Sequence, residues 1–187
     1  MNPLFRAAAD VVAFCERHGW RACVIGGVAV QRWGEPRTTR DVDITVIAGP
    51  GKEALMVDAF LGGFVARIPN ARQFALEHRV LLVATNEDVP IDVSLAGVSY
   101  EDRLVGRSSV FAADTGVAIR TCSAEDLVVL KAFAGRPQDW LDVEGVIVRQ
   151  GARLDRALVL QELQGLAVEG EESDALDLIA KLFRKHP

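Results

Sequence analysis

Two aspartates that lie two residues apart, Asp41 and Asp43, constrain this chain more than any other feature. They alternate with the apolar residues Val42 and Ile44, which predicts a β-strand with one polar and one apolar face. Both carboxylates then point the same way, a few ångströms from each other. Two like charges so close are costly unless they share a proton or a cation, and carboxylates are ligands that suit Mg²⁺. The pair therefore predicts half of a metal site.

A glycine pair precedes these aspartates along the chain. The apolar segment 21–25 predicts a strand that runs into Gly26 and Gly27, and residues 28–33 fit a short helix. Glycines at a strand-to-helix junction let backbone amides approach a ligand, and the unpaired N–H groups at a helix start attract anions. The sequence therefore predicts a phosphate-binding turn that faces the metal ligands.

A third acidic residue, Asp92, interrupts the apolar segment 90–95, which predicts a second short strand. Taken singly, a glycine pair is an ordinary turn, and two alternating aspartates are often solvated carboxylates at a sheet edge. Charged residues are seldom buried without a partner, however, so an acid within an apolar strand favours a functional role. The combination predicts a site of three carboxylates.

The remaining pattern predicts an α/β (α+β) fold, in which a mixed sheet with flanking helices precedes a small helical C-terminal part. Strands are predicted at 79–84, 90–95, 109–112 and 117–121, and helices at 3–18, 52–61, 124–134, 138–150 and 155–166. Asp114, Thr115 and Gly116 predict a turn, and the acidic segment 169–177 predicts a solvated helix or a partner surface. We expect a core domain over residues 1–121 and a helical subdomain over 122–187.

Composition predicts a protein of the cytoplasm with no membrane partner. At 187 residues, half of them apolar, the chain can bury a core of ordinary depth. No segment is long enough to span a bilayer, and Arg6 and Asp10 interrupt the region where a signal peptide needs an apolar stretch. The three cysteines and three histidines lack the spacing of a disulfide framework or a zinc site, so we expect core or surface roles for them.

The motif residues resemble those of the nucleotidyltransferase superfamily, whose members have the DNA polymerase β-type fold. The signature of that superfamily is a glycine pair after an apolar residue, then a strand with two alternating acids, and later a strand with a third acid. Here Ile25-Gly26-Gly27, Asp41-Val42-Asp43 and Asp92 fill these positions. The resemblance implies a nucleotidyltransferase sheet, and it spans roughly residues 20–145.

Within that superfamily the chain looks like the AbiEii-type toxins and related minimal nucleotidyltransferases. This resemblance rests on Arg37-x-Thr39-x-Asp41-x-Asp43 and on the segment 130–139. In similar proteins the lysine at the position of Lys131 reaches the nucleotide phosphates, which implies a catalytic role, although such a lysine can also lie along the surface. The residues that the resemblance places at the nucleotide are Gly26, Gly27, Arg37, Thr39, Lys131 and Arg136. Arg136, Asp139 and Asp142 either form an ion-pair latch between helices or contact the substrate.

The resemblance implies nucleotidyl transfer, in which an acceptor hydroxyl attacks the α-phosphorus of a nucleoside triphosphate (NTP) and pyrophosphate leaves. Two Mg²⁺ ions about 3.5–4 Å apart would stabilise the attacking and leaving oxygens together. Asp41 and Asp43 would bridge both ions, and Asp92 would complete the ion that lowers the pKa of the acceptor hydroxyl. Lys131 would offset the charge that develops on the leaving group.

The acceptor stays open at this point. The AbiEii resemblance favours RNA, specifically the 3′ end of a tRNA, with an antitoxin protein as a partner. The alternatives are a small molecule such as an antibiotic, a protein hydroxyl, or a non-catalytic nucleotide- or partner-binding module, against which the three intact acids argue. A net charge of −5 does not favour RNA by itself, because proteins that hold nucleic acid are usually basic on one face. Eight cations predict a locally basic cleft: Arg32, Arg37, Arg40, Arg67, Arg72, Arg79, Lys131 and Arg136.

Overall fold

The computed structural model describes residues 2–112, 116–166 and 173–187. Its strands are β1 (Arg21–Ile25), β2 (Val42–Ile47), β3 (Val65–Ala66), β4 (Val80–Ala84), β5 (Pro90–Leu95), β6 (Ser109–Ala112) and β7 (Ala118–Thr121). Its helices are α1 (Pro3–Arg17), α2 (Gly26–Trp33), α3 (Glu53–Gly63), α4 (Ala71–His78), α5 (Ser99–Arg107), α6 (Ala124–Ala134), α7 (Pro137–Gln150), α8 (Arg156–Leu166) and α9 (Ser173–Lys185). The predicted turn at Asp114 and Thr115, and the first part of the acidic segment, lie outside the described residues.

The described chain divides into two compact units. The sheet unit consists of the residues up to Val28 together with Thr38–Cys122, and it contains all seven strands of the described residues. The helical unit consists of Ala29–Arg37 together with Ser123–Pro187, and it contains α6, α7, α8 and α9. The segment Ala29–Arg37 thus belongs to the helical unit, although it lies between the glycine pair and the aspartates in the sequence.

The seven strands form one mixed sheet in the order β3-β4-β5-β2-β1-β7-β6. Strand β2 lies at the centre, where it pairs antiparallel with β1 and parallel with β5. Strand β1 is also parallel to β7, whereas β4 and β5, which the sequence predicts as neighbouring strands along the chain, pair antiparallel. The prediction of a mixed α/β fold is therefore confirmed.

One face of the sheet buries the apolar residues of the central strands. In β2, Val42, Ile44 and Val46 are fully buried, and Asp43 between them is only half-buried, as the alternation predicts. The same core cluster takes in apolar residues from β1, β4, β5 and β7, and from helices α1, α3 and α4. The hydrophobic effect on this face fixes the register of β2 and therefore the side to which Asp43 points.

The cysteines lie in the interior. Cys15, Cys23 and Cys122 are all buried. Burial raises the pKa of the Cys15 thiol to about 12, with a smaller contribution from the charge of Glu16, so this thiol stays protonated at neutral pH. Its role is packing within α1, as the sequence predicts.

Helix α3 extends beyond the point that the sequence indicates. Gly62 and Gly63 were expected to end it, but the helix continues to Gly63. A Cβ atom on Gly63 would lie 2.8 Å from Cε2 of Phe14, so the glycine is required by close packing. Strand β3 and helix α4 were not predicted, because only Ala71 and Ala75 of α4 are buried and the apolar periodicity is weak.

Helix α6 begins after a side-chain cap, and its bounds are those that the sequence predicts. The hydroxyl of Ser123 accepts a hydrogen bond of 3.1 Å from the backbone N–H of Asp126. Leu127 and Val128 are fully buried, but Phe133, which the helical spacing places in the core, is 52% exposed. Among the helices of residues 2–112, 116–166 and 173–187, none has the length and apolar character needed to cross a bilayer.

Candidate active site

Three carboxylates meet at one end of two parallel strands. Asp43 of β2 and Asp92 of β5 are direct partners in the register of these strands, and their side chains therefore lie side by side. Asp41 lies immediately before β2. One carboxylate oxygen from each of the three residues lies within 4.8 Å of the other two, and all three residues are half-buried. The structure thus brings the three predicted acids together.

Asp41 is held by a side-chain contact rather than by a sheet ladder. Strand β2 begins at Val42, so Asp41 lies just outside the strand in which the sequence predicts it. The hydroxyl of Thr39 donates a hydrogen bond of 3.0 Å to Oδ1 of Asp41. Thr39 therefore fixes the direction in which one of the three carboxylates points.

The glycine pair packs directly against this cluster. Gly26 opens α2 with a φ of +58°, and a Cβ atom there would lie 1.9 Å from Oδ2 of Asp43. A Cβ atom on Gly27 would lie 2.3 Å from Oγ1 of Thr39. No side chain larger than hydrogen fits at either position, because each glycine touches a polar group of the site.

An arginine from the edge of the sheet also reaches the carboxylates. Arg67 directly follows β3, and its backbone N–H donates a hydrogen bond of 3.1 Å to the carbonyl of Leu82. Its guanidinium donates a short hydrogen bond to Oδ1 of Asp92. The sequence placed Arg67 only among eight cations of a general basic patch, because no local pattern connects it with Asp92.

The donor set of the cluster fits Mg²⁺. Oxygen ligands of an octahedral Mg²⁺ lie about 2.1 Å from the ion, so two of them are at most about 4.2 Å apart. The three carboxylates, whose oxygens lie within 4.8 Å of one another, need only a small approach to meet this limit. Each of these carboxylates supplies the hard oxygen ligands that this cation prefers.

The helical unit contains a second cluster of charges, which is buried. Nζ of Lys131 on α6 lies 2.8 Å from Oδ1 of Asp139 and 2.9 Å from Oδ2 of Asp142, both on α7. The side chains of the three residues are 8%, 1% and 3% exposed, respectively. A lysine so enclosed does not lie along the surface, so that interpretation of Lys131 is wrong.

Two arginines that are more exposed complete this cluster; the side chains of Arg37 and Arg136 are 32% and 73% exposed. The guanidinium of Arg37 donates from Nε to Oδ1 of Asp142 over 2.7 Å and from Nη2 to Oδ2 over 2.8 Å. Arg136 donates from Nε to Oδ2 of Asp139 over 2.6 Å. Each buried carboxylate is therefore shared between Lys131 and one arginine, which is the arrangement of an ion-pair latch between helices.

The latch changes the pKa values of its two acids. Burial raises the pKa of Asp139 and of Asp142, but hydrogen bonds from the arginines and from Lys131, with their charges, outweigh it. The net effect lowers the pKa of both carboxyls below the ordinary value. Both acids are therefore ionised at neutral pH.

The segment Ala29–Arg37 is held along α7 by further contacts. The side-chain amide of Gln150 donates a hydrogen bond of 2.7 Å to the carbonyl of Trp33, and Arg149 donates to the carbonyl of Gly34. A Cβ atom on Gly34 would lie 3.0 Å from Cγ2 of Val146. Together with the pair of Arg37 and Asp142, these contacts extend along α7 from residue 142 to its last residue, Gln150.

A comparison with protein families decides the class of the chain. Residues 4–177 match the model of a family described as "Nucleotidyl transferase of unknown function (DUF2204)". The chain belongs to this family. No curated protein matches this nucleotidyltransferase significantly.

The solved structures that are similar to this chain include a nucleotidyltransferase-like protein. An antigenic nucleotidyltransferase-like protein from Paracoccidioides brasiliensis matches with a TM-score of 0.55 and 15% identity, over 98% of this chain and 88% of that one. The antibiotic-resistance factor ANT(2'')-Ia matches with a TM-score of 0.46 and 16% identity, over 97% of this chain and 91% of that one. The Bacillus stearothermophilus CCA-adding enzyme, in complex with CTP, matches at 0.40 and 18%, over 97% of this chain and 53% of that one. The first of these supports the fold.

The predicted basic residues of this nucleotidyltransferase are largely neutralised by acids. At least six of the eight cations pair with carboxylates. These pairs are Arg37 with Asp142, Arg67 with Asp92, Arg72 with Asp58, Arg79 with Glu53, Lys131 with Asp139 and Asp142, and Arg136 with Asp139. Arg32 stacks on the ring of Trp33, with its guanidinium carbon 3.9 Å from the ring centroid. The sequence offered acidic partners only for Arg136, as one of two alternatives, and it indicated none for the other five paired cations, of which Arg37 has its partner 105 residues away.

Proposed function

We propose that this nucleotidyltransferase moves a nucleoside monophosphate from an NTP to an acceptor hydroxyl, with two Mg²⁺ ions held by Asp41, Asp43 and Asp92. The observation that carries the proposal is the cluster of these three carboxylates, whose oxygens lie within 4.8 Å of one another. Bound Mg²⁺ would lower the pKa of the attacking hydroxyl and neutralise charge on the departing pyrophosphate. We infer a cytoplasmic reaction, because NTPs and Mg²⁺ are abundant there.

The glycine pair would bind the phosphates of the NTP. Gly26 and Gly27 are the first residues of α2, where backbone N–H groups have no partner within the helix. Gly26 touches Asp43, so these donors lie beside the carboxylates that would hold the metal. An anion bound there would be close to the cation site, as phosphoryl transfer requires.

Thr39 would position a metal ligand rather than contact the nucleotide. Its hydroxyl donates to Asp41, and its side chain packs against Gly27. Thr39 therefore connects the proposed phosphate-binding turn with one of the proposed metal ligands.

Lys131, Arg37 and Arg136 have a different place in the proposal. The resemblance assigns them to the nucleotide, whereas their contacts within the helical unit are with Asp139 and Asp142. Breaking such a buried network is costly, because it leaves uncompensated charge in the interior. We therefore assign the three cations to the stability of the helical unit, and a phosphate contact remains the alternative for Lys131.

The acceptor that we propose first is RNA, at the 3′ end of a tRNA, in the manner of an AbiEii-like toxin with an antitoxin partner. The resemblance to AbiEii-type toxins at Arg37-x-Thr39-x-Asp41-x-Asp43 and in the segment 130–139 supports it. A cationic small molecule is the second candidate. The pairing of at least six of the eight predicted basic residues with carboxylates favours it, because paired cations attract nucleic acid weakly.

Label transfer tests the proposal. The protein is incubated with Mg²⁺ and each of four α-³²P-labelled NTPs in a cell lysate, beside the variants Asp43→Asn and Asp58→Asn. RNA, protein and small molecules are then separated. Asp43→Asn keeps the shape of the side chain but removes a metal ligand, so we expect it to lose nearly all transfer. Asp58→Asn is the control, because Asp58 forms an exposed pair with Arg72 outside the cluster.

The labelled fraction identifies the acceptor class. Label in RNA that depends on Asp43 supports the tRNA proposal, and label in small molecules supports the second candidate. Equal labelling by wild type and Asp43→Asn contradicts the assignment of the carboxylates to catalysis.

A further inference from the structure

The pair of Arg67 and Asp92 differs in kind from the ion pairs of the helical unit. The side chains of Arg67 and Asp92 are 33% and 32% exposed, whereas those of Lys131 and Asp139 are 8% and 1% exposed. An ion pair in contact with solvent exchanges partners at low cost, because water stabilises both charges when they separate. In a buried pair, water does not stabilise the separated charges, so an exchange of partners is costly. The contact between Arg67 and Asp92 is therefore exchangeable.

The sheet holds the backbone of Arg67 at a fixed distance from Asp92. Its N–H is bonded to Leu82 on β4, and Leu82 is the cross-strand partner of Asp92 on β5. Neighbouring strands lie about 4.8 Å apart, so the backbones of Arg67 and Asp92 are about 10 Å apart. Only the long arginine side chain spans this distance, and its guanidinium can move while its Cα stays in place.

The guanidinium and a metal ion compete for the same carboxylate. Asp92 is one of the three proposed metal ligands, and its Oδ1 accepts the hydrogen bond from Arg67. A divalent cation on this carboxylate would repel the arginine. The displaced guanidinium would remain beside the cluster, where the negative charge of the NTP phosphates would attract it.

We propose that Arg67 is an exchangeable counter-ion of the active site, which competes with the metal for Asp92 and transfers to the NTP phosphates when metal and nucleotide bind together. This inference rests on the proposed function. It makes the binding of the two ligands cooperative: the metal alone must displace Arg67 without compensation, whereas with the nucleotide present Arg67 gains a new anionic partner. By linkage, each ligand then raises the affinity for the other.

Mn²⁺ binding tests the proposal without any turnover. Free Mn²⁺ is measured by electron paramagnetic resonance during titration of wild type, Arg67→Gln and Arg72→Gln. We expect Arg67→Gln to bind Mn²⁺ roughly 1.5- to five-fold more tightly than wild type, which is the effect of losing a competing ion pair that is one-third exposed. Arg72→Gln should match wild type, because Arg72 pairs with Asp58. Mn²⁺ affinity in Arg67→Gln that equals or falls below that of wild type overturns the proposal.

The second titration adds a saturating non-hydrolysable ATP analogue. We expect the analogue to raise the Mn²⁺ affinity of wild type by a larger factor than that of Arg67→Gln, because the variant has no guanidinium to transfer. Equal factors overturn the transfer to the phosphates. In the background of Asp92→Asn, Arg67→Gln should leave Mn²⁺ affinity unchanged, and a persistent tightening overturns the competition for Asp92.

These results separate the inference from the proposed function. Tighter Mn²⁺ binding by Arg67→Gln supports the counter-ion role even if no acceptor becomes labelled. Asp43-dependent label transfer with unaltered Mn²⁺ binding by Arg67→Gln keeps the proposed function and overturns the counter-ion role.

Discussion

The backbone of Gly26 lies directly against the carboxylate of Asp43. A Cβ atom on Gly26 would be 1.9 Å from Oδ2 and 2.6 Å from Cγ of Asp43, far inside van der Waals contact. The glycine that opens α2 and the aspartate at the centre of the sheet therefore occupy complementary space. A change at Gly26 must move Asp43, although Asp43 itself stays chemically intact.

On the proposed function, in which Asp43 holds the metal, we expect Gly26→Ala to lower kcat by about 100-fold or more, because displacing a catalytic group by about 1 Å costs this much. Gly19→Ala is the matched control. Gly19 has a φ of +70°, close to the +58° of Gly26, but a Cβ atom there would meet nothing within 4 Å. Both alanines strain the backbone by about 1–2 kcal/mol. Gly26→Ala must also displace Asp43, so it should lower stability more than Gly19→Ala does. Equal kcat values for the two variants would contradict the contact with Asp43.

Replacement of Lys131 by alanine should destabilise the protein by about 3–5 kcal/mol, because it leaves two buried carboxylates without a shared cation. Denaturant unfolding, followed by circular dichroism, measures this loss. Lys185→Ala is the control within the same unit, since Lys185 is 63% exposed and pairs with Glu144 at the surface. Unchanged stability of Lys131→Ala together with a raised KM for the NTP would instead place Lys131 on the phosphates.

Stability should fall in acid because of Asp139 and Asp142. Their pKa values in the folded state are lowered from the ordinary value of 3.8. Their contribution is therefore complete above about pH 5, where the carboxyls are ionised in the unfolded chain as well, and it is lost as the pH falls from there through the folded-state pKa values. We expect the free energy of unfolding to decrease over this range and Asp142→Asn to flatten the decrease. The flattening should persist in 0.5 M NaCl, because the carboxylate of Asp142 is buried; disappearance in salt would argue against the latch.

Arg37 and Asp142 should be energetically coupled. A double-mutant cycle with Arg37→Gln and Asp142→Asn should give a coupling of about 1–2 kcal/mol in unfolding experiments. Arg37→Lys should recover only part of it, because an ammonium cannot form the bidentate contact. The pair of Arg21 and Asp102, which is 54% and 59% exposed, serves as the control with a small coupling. Equal couplings for both pairs would contradict the buried latch.

The sequence predicted the parts of the site that local patterns reveal. Asp43 and Asp92 stand out because each interrupts an apolar strand, and the register of β2 and β5 then makes them neighbours. The glycine pair was recognised as a junction, but its tight contact with Asp43 and Thr39 became visible only in three dimensions. Periodicity thus indicated which residues face the site, without the distances between them.

Long-range pairing of charges was beyond the sequence. Arg37 and Asp142 are 105 residues apart, and no spacing rule connects them. Arg67 depends on β3, a strand of two exposed residues that carries almost no apolar signal. The helical pattern of α6 also placed Phe133 inside and Lys131 at the edge, whereas Phe133 is 52% exposed and Lys131 is 7% exposed. Lys131 is buried because its acidic partners lie on α7. The apolar periodicity of α6 alone gives no information about residues on another helix.

The assignment of Ala29–Arg37 to the helical unit has a consequence for inheritance. A chain cut after Cys122 would keep Arg37 and lose Asp142, its bidentate partner. A single recombination event at that point would therefore join a new helical unit to the original segment Ala29–Arg37, whose contacts fit the original helix α7. Relatives that acquired a different helical unit should also carry a different segment between the glycine pair and the aspartates, so the two stretches should evolve together.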